Sequence, residues 1–298
     1  MNITGNCLDI LPTLEANSIQ CCVTSPPYWG LRDYGTAKWE GGDSECSHKF
    51  ATGGYKSTGL NCKRDENNWK AIDSKSGQTW QQYKDICPKC GAIRVDGQLG
   101  LEKSPEEYVA KMVEVFREVR RVLRRDGTLW LNLGDSYNGS GGAGGDYNKG
   151  GLKEGQPKYN GRNIPSLKPK DLVGIPWRVA FALQADGWYL RQDIIWNKPN
   201  PMPESVKDRC TKSHEYIFLL TKSARYYYDT DAVKEPLSSP PHAPGNNKLD
   251  ASRNDHDQMQ KVWGLDGTRN RRSVWTITTK PFKEAHFATF PPEIPEIC

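Results

Sequence analysis

An apolar run cut short by two prolines constrains this 298-residue chain more than any other feature. Residues 18–24 read Ser-Ile-Gln-Cys-Cys-Val-Thr, the pattern of a buried strand. Ser25-Pro26-Pro27 then stop it at once, because proline cannot donate to a central ladder. A strand that ends so abruptly, in a stiff turn, places that turn at the carboxyl edge of a sheet, where open α/β sheets bind their ligands. The remaining pattern supplies partners for such a sheet. Residues 7–16 predict a short helix. Ser104-Pro105-Glu106-Glu107 combines an N-cap serine, proline at the first helical position and a glutamate three residues past the cap. Tyr108, Met112, Val115, Phe116, Val119 and Leu123 follow at helical spacing, so a helix is predicted over 105–125. Arg120, Arg121, Arg124 and Arg125 crowd its last turns, where cations suit the helix dipole, and Asp126-Gly127 is read as its terminator. Residues 128–133 read as a strand, a second helix runs from Pro176 to near Asp186-Gly187, and further strands cover 189–197 and 215–222. The fold class is α/β.

Composition excludes several classes. Ten Trp, 13 Tyr and 7 Phe can build a core, since each buries roughly 150–250 Å², so full disorder is ruled out. No stretch approaches the ~18 consecutive apolar residues of a membrane span. Met1-Asn2-Ile3-Thr4-Gly5 has neither a basic nor an apolar signal region. Nine cysteines, an odd number without a signal, argue against a disulfide framework and for a reducing cytoplasm. Three stretches lack periodicity: 35–98, read as an insertion; 134–161, with 10 glycines, read as a mobile functional loop; and 236–260, read as irregular. The net charge is only +5, but 261–283 holds six positive residues and one negative, with Trp263 and Trp275 among them. Basic residues interleaved with aromatics suit phosphate contact and base stacking, and a solvated basic loop is the competing reading.

The turn after the first strand carries the chemistry. Pro26 and Pro27 have no N–H, so their carbonyls can face outward from a stiff backbone. Ser25 adds a hydroxyl and Tyr28 a flat face. Rigid acceptors beside an aromatic plate suit a planar base with an exocyclic amino group. Hydrogen bonds from that NH₂ to Ser25 and the Pro26 carbonyl favour a pyramidal nitrogen and free its lone pair for attack. A bare proline-rich turn is the alternative, because short motifs have false positives.

The order of motifs around this turn resembles the amino-group DNA methyltransferases of the permuted class, in which the catalytic motif precedes the cofactor motif. The resemblance rests on Gly5-Asn6-Cys7-Leu8; Val23 to Trp29; Arg121-Val122-Leu123 with Asp126-Gly127-Thr128 and Asn132-Leu133-Gly134-Asp135; Asn197-Lys198-Pro199 through Asp208-Arg209 with His214-Glu215-Tyr216; and His286-Phe287-Ala288-Thr289-Phe290-Pro291. It implies a Rossmann-like class I methyltransferase sheet, S-adenosylmethionine as methyl donor and a target base flipped out of double-stranded DNA. It assigns Ser25, Pro26, Pro27 and Tyr28 to the amino group, and Asn6, Cys7, Ser25, Thr289, Phe290 and Pro291 to the cofactor. Candidate DNA contacts are Trp29, Arg32, Arg269, Arg271, Arg272 and Trp275. The Thr-Ser-Pro-Pro-Tyr form is most similar to the cytosine-N4 enzymes, whereas adenine-N6 enzymes more often carry Asp at the Ser25 position, so the resemblance implies transfer to cytosine N4 in DNA, with adenine N6 the alternative. A cognate restriction endonuclease is an expected partner.

Two departures stand out. Asn6 occupies a position where the family usually has Asp, and the Asp-Pro-Phe-x-Gly-Ser-Gly loop expected after Pro291 is not reached before Cys298. The expectation is a chain truncated before its cofactor loop, with its sheet incomplete at the C-terminus. A catalytically inactive DNA-binding remnant, and half of a split enzyme completed by a C-terminal polypeptide, are the alternatives.

The insertion carries a second pattern. Cys46-Ser-His48 is followed by Cys87-Pro-Lys-Cys90-Gly91, two chelating pairs that resemble a zinc ribbon. Cys46, His48, Cys87 and Cys90 are the expected ligands of a structural zinc, with Cys62 able to replace His48; a redox Cys-Pro-x-Cys and plain unliganded thiols are the competing readings. The predicted organisation is a catalytic core at 1–34 and 99–235, a zinc-bearing insertion at 35–98, a target-recognition region at 236–285 and the start of the cofactor-binding segment at 286–298.

Overall fold

The computed structural model describes residues 3–30, 37–46, 52–54, 61–65, 68–72, 79–81, 86–87, 89–139, 164–238, 267–280 and 289–298. The chain divides into two compact units. One comprises 1–32, 99–147 and 159–298, the other 33–98 and 148–158.

The first unit is built on a five-stranded sheet. Its strands are β1 (Ile19–Thr24), β2 (Leu123–Leu133), β3 (Tyr189–Asn197), β4 (His214–Thr221) and β5 (Val274–Thr276), in spatial order β1-β2-β4-β3-β5. β1 and β2 run parallel, as do β3 and β5, while β4 is antiparallel to both neighbours. The sheet is therefore mixed. Four strands end at one edge, and β4 begins there.

That sheet is apolar on both faces, which is why β2 is buried almost throughout. On one face α2 (Pro105–Val122) and α3 (Ile175–Ala185) cover Leu129, Leu131, Leu133, Phe218 and Leu220. On the other, Trp130, Ile194, Trp196, Ile217, Leu219 and Trp275 form a separate cluster with Ile294 of the short α4 (Glu293–Ile297). Each such buried aliphatic or aromatic side chain contributes about 1.5–3 kcal/mol.

The N-terminus of α2 forms as its sequence predicts. The Glu107 N–H donates to Ser104 Oγ at 3.2 Å, and Tyr108, Met112, Val115, Phe116, Val119 and Val122 face the core. Its C-terminus differs. The helix stops at Val122, because Leu123 turns extended, is fully buried and pairs with Ile19 of β1. Arg124 and Arg125 thus begin a strand, and Asp126-Gly127 lie where the β1–β2 register shifts. The predicted helix over 7–16 is a single turn, α1 (Cys7–Ile10), followed by a 3₁₀ turn at Leu11–Thr13. The predicted recognition region also changes, because β5 lies within 236–285 yet belongs to the main sheet, where Trp275 is 5% exposed. Residues 239–266 and 281–285 of that region, and most of the glycine-rich stretch (140–161), fall outside the described residues.

The second unit shows antiparallel two-stranded ladders nested in sequence: Lys38–Glu40 with Ile93–Val95, Thr52–Gly54 with Thr79–Gln81, and Asn61–Asp65 with Asn68–Ile72. Among the described residues, no helix is long and apolar enough to cross a membrane.

Candidate active site and thiol cluster

The Ser25-Pro26-Pro27-Tyr28 turn leaves β1 at the edge where β2, β3 and β5 end and β4 begins. Its backbone is pinned on one side, where the Tyr108 hydroxyl of α2 donates to the Pro27 carbonyl at 2.9 Å. No described residue donates to the Pro26 carbonyl, which stays available as an acceptor. Tyr28 is fixed at both ends. Its ring lies so close to Gly134, just past β2, that a Cβ there would sit 2.5 Å from ring carbon Cε2, so position 134 requires glycine. Its hydroxyl lies 3.0 Å from Asn132 Oδ1 and 2.7 Å from Glu215 Oε2, and the Ser25 hydroxyl donates to it at 3.3 Å. Burial, then the Glu215 charge, holds the Tyr28 phenol well above its ordinary range, so it stays protonated. Asn132 Nδ2 donates to Glu215 Oε2 and to the Tyr216 carbonyl, and Lys198 at the end of β3 pairs with Glu215 Oε1. Lys198 also lies over the Trp196 ring, 4.2 Å from its centroid.

The same edge builds a helix cap from a distant residue. The Asp135 carboxylate, just beyond β2, accepts from the Gly174 and Ile175 N–H groups at 3.0–3.1 Å and so serves the first turn of α3. None of the nearby thiols is prepared as a nucleophile. Burial raises Cys7 and Cys21, and pushes Cys22 up to about 12.

The expected cofactor residues occupy defined places. Asn6 caps α1, its Oδ1 accepting from the Leu8 N–H at 3.1 Å, which leaves its Nδ2 without a described partner. Cys7 opens that helix. Phe290 packs into the same cluster as Cys21 and Val23 of β1, Pro291 is buried and Thr289 is exposed.

Two expected DNA contacts are corrected. Trp29 is 3% exposed and its indole N–H donates to the Glu102 carbonyl at 3.1 Å, so it is a core residue with no face for a base. Trp275 is buried against Trp130, with ring centroids 6.0 Å apart, and its N–H donates to the Arg272 carbonyl. The arginines are also partly engaged. Glu235 pairs with both Arg269 and Arg272, and Arg271 Nε donates to the Val233 carbonyl. The Arg272 side chain is still 65% exposed. Arg32 lies outside the described residues.

In the second unit the Sγ atoms of Cys46, Cys87 and Cys90 lie within 4.8 Å of one another, and Cys46 and Cys87 are 4.0 Å apart. This is far longer than a disulfide and close to the ~3.8 Å edge of a tetrahedron with Zn–S bonds of about 2.3 Å. A tight turn aligns the second pair, with the Gly91 N–H donating to the Cys87 carbonyl and the Cys87 N–H to the Ala92 carbonyl. Gly42 makes room for it: its φ is +72°, and a Cβ there would sit 2.8 Å from Cys90 Sγ. His48 lies outside the described residues.

Sequence reasoning gave no site role to Asn132, Lys198 or Glu215. The signal was present as a polar residue inside or beside an apolar run, in Leu-Trp-Leu-Asn-Leu and in His-Glu-Tyr-Ile-Phe-Leu-Leu.

Comparison with known proteins identifies the family. A DNA methylase family profile of the N6/N4 type matches residues 19–298. Type II methyltransferase M.Cfr9I of Citrobacter freundii is 41% identical across 99% of this chain and 69% of its own length. Type II methyltransferase M.SmaI of Serratia marcescens is 39% identical across 99% of this chain and 73% of its own. Among solved structures, PvuII DNA methyltransferase (cytosine-N4-specific) aligns with 98% of this chain and 66% of its own, at 13% identity and a TM-score of 0.47. With that profile matched over residues 19–298 of the 298 and relatives at about 40% identity, this chain belongs to the N6/N4 DNA methylase family.

Proposed function

We propose that the protein is a Type II modification enzyme that methylates the exocyclic N4 amino group of cytosine in double-stranded DNA, with S-adenosylmethionine as donor and a restriction endonuclease of the same specificity as partner. One observation carries the reading: a serine hydroxyl and an unengaged proline carbonyl stand together on a turn pinned by Tyr108, beside a tyrosine ring fixed at both ends. The two acceptors bind the amino hydrogens and draw the nitrogen toward a pyramidal geometry. The Tyr28 ring supports the flipped base, whose unstacking costs a few kcal/mol. The turn is rigid before substrate arrives, so the acceptors need no reorganisation in the transition state. Ser25 in place of an acidic residue favours cytosine over adenine N6.

The residues present fit the cofactor by their donor chemistry. Asn6 Nδ2 offers hydrogens to an adenine nitrogen, and Phe290 offers an apolar face on the β1 side. Asn6, Cys7, Ser25, Thr289, Phe290 and Pro291 would hold it, and when bound it supplies an electrophilic methyl group. Arg269, Arg271, Arg272 and Arg32 are assigned to the DNA backbone, with Arg272 the most exposed of those described.

The direct test is mass spectrometry of nucleosides from unmethylated DNA incubated with the full-length protein and S-adenosylmethionine. 4-Methylcytosine is expected. 6-Methyladenine would overturn the choice of base, and no methylated nucleoside would overturn the activity.

The thiol cluster is assigned to a structural zinc held by Cys46, Cys87, Cys90 and His48. Native mass spectrometry should show one zinc per chain. Retention of that zinc in Cys87→Ser would contradict the site.

A further inference from the structure

The hydrogen-bond network behind the serine is one proton short. Asn132 fixes the count. Its Nδ2 has two acceptors, the Tyr216 carbonyl and Glu215 Oε2, so its carbonyl oxygen is the atom that faces Tyr28. The Tyr28 oxygen therefore lies within hydrogen-bond distance of two acceptors, Asn132 Oδ1 at 3.0 Å and the Glu215 carboxylate at 2.7 Å. It owns one hydrogen. The Ser25 hydrogen already occupies the third contact, so with Glu215 ionised one of the three contacts has no proton in it.

From this geometry we infer that Glu215 is the terminal proton acceptor of the methyl transfer, reached from the target amino group through Ser25 and Tyr28. The inference rests on the amino-group reading of Ser25 given above. As the amino nitrogen bonds to the methyl carbon, the carbon–sulfur bond of the sulfonium donor breaks, its electron pair stays on sulfur, and the nitrogen is left with one proton too many. That proton passes to Ser25 Oγ, the serine proton to Tyr28 Oη, and the tyrosine proton to Glu215 Oε2. The products are a neutral methylated amine, a neutral thioether and a protonated Glu215, with Ser25 and Tyr28 restored. All three contacts are then filled. Ser25 donates to Tyr28, Glu215 donates to Tyr28, and Tyr28 donates to Asn132 Oδ1. Tyr28 never becomes a tyrosinate, in keeping with a phenol held protonated by its surroundings. Lys198 and Asn132 keep Glu215 aimed at the tyrosine, and Glu215 itself touches no substrate atom.

The test uses the full-length protein in single-turnover methyl transfer with Tyr28→Phe, Glu215→Gln and the double variant. Each single variant is expected to slow transfer by about 10²-fold or more, the usual scale of proton-transfer catalysis. The dissociation constants for DNA and cofactor should change little, and the double variant should be no slower than the slower single one, because the groups act as one relay. A readout without turnover accompanies it. In protein labelled at the tyrosine ¹³Cζ, the Tyr28 resonance is the one absent from Tyr28→Phe. In Glu215→Gln it should begin to ionise at lower pH than in wild type, because the neighbouring negative charge is gone. If Ser25→Ala stops transfer while Tyr28→Phe keeps a rate within about threefold of wild type, the relay is wrong and the amino-group reading stands. If Glu215→Gln leaves the Tyr28 titration unchanged, the contact is absent and the relay falls on that ground alone. If wild type methylates no amino group, both readings fail.

Discussion

The edge at Ser25 and the thiol cluster at Cys46 are held by opposite means. Ser25, Tyr28, Asn132, Lys198 and Glu215 come from β1, β2, β3, β4 and the turns that flank them, up to 190 residues apart in sequence. They are brought together by a sheet whose two faces are packed with Leu, Ile, Phe and Trp. The thiols sit in a unit whose described strands are three to five residues long and pair only two by two. An isolated two-stranded ladder is marginal in water. A site placed by a core tolerates the loss of its ligand. A site placed by short ladders would depend on it: the zinc proposed above would supply the folding energy that apolar packing does not, with apparent values of roughly 10–16 kcal/mol in small zinc domains.

That contrast yields its largest expected effect on chelation. If the proposed zinc fills the cluster, treatment with a strong chelator, or Cys90→Ser, should release hydrogen-exchange protection in the ladders Lys38–Glu40 with Ile93–Val95, Thr52–Gly54 with Thr79–Gln81 and Asn61–Asp65 with Asn68–Ile72, while leaving β2 and β4 protected. Equal loss in both regions would mean that the metal holds the whole chain, and the contrast would be false. The converse perturbation is Leu131→Ala. Leu131 is fully buried between β1 and β4, so truncation should cost about 2–5 kcal/mol of core stability, read by denaturant midpoint, with zinc stoichiometry unchanged.

The sheet was legible in the sequence where local signals and burial agree. The diproline turn, the capped start of α2 and the strand at 189–197 needed only local chemistry and apolar spacing, and the structure reproduces them. The end of α2 was not legible, because Leu123 has helical spacing but pairs with Ile19, over 100 residues away. Trp275 misled for a related reason. Composition shows an aromatic beside cations, but only the sheet order shows that its ring faces inward. Trp29, just past the diproline turn, is likewise buried by the assembled core on the α2 side. The antiparallel setting of β4, and with it the arrival of Glu215 beside Tyr28, is likewise a property of the assembled sheet.

The Asp135 cap sharpens the comparison at smaller scale, since it ties α3 to the end of β2 through a single carboxylate. Asp135→Ala would leave the Gly174 and Ile175 N–H groups without their charged acceptor. A loss of about 1–3 kcal/mol is expected, with α3 amides exchanging first. Asp135→Asn should recover part of it, because an amide oxygen still accepts without the charge that suits the helix N-terminus.

Ser104→Ala gives the smallest effect and the cleanest control. Its hydroxyl serves one N–H, that of Glu107, on the exposed first turn of α2, far in sequence from every residue of the network behind Ser25. The expected cost is about 1 kcal/mol of stability. Pro105 still fixes the entry to the helix, and Tyr108 still reaches the Pro27 carbonyl, so single-turnover methyl transfer should be unchanged. A rate that fell along with stability would mean that the turn at Ser25 is set by the fraying of α2. The rigidity ascribed to that edge would then come from one helix end and its Tyr108 tether, and the five-strand packing that the thiol cluster lacks would not be its cause.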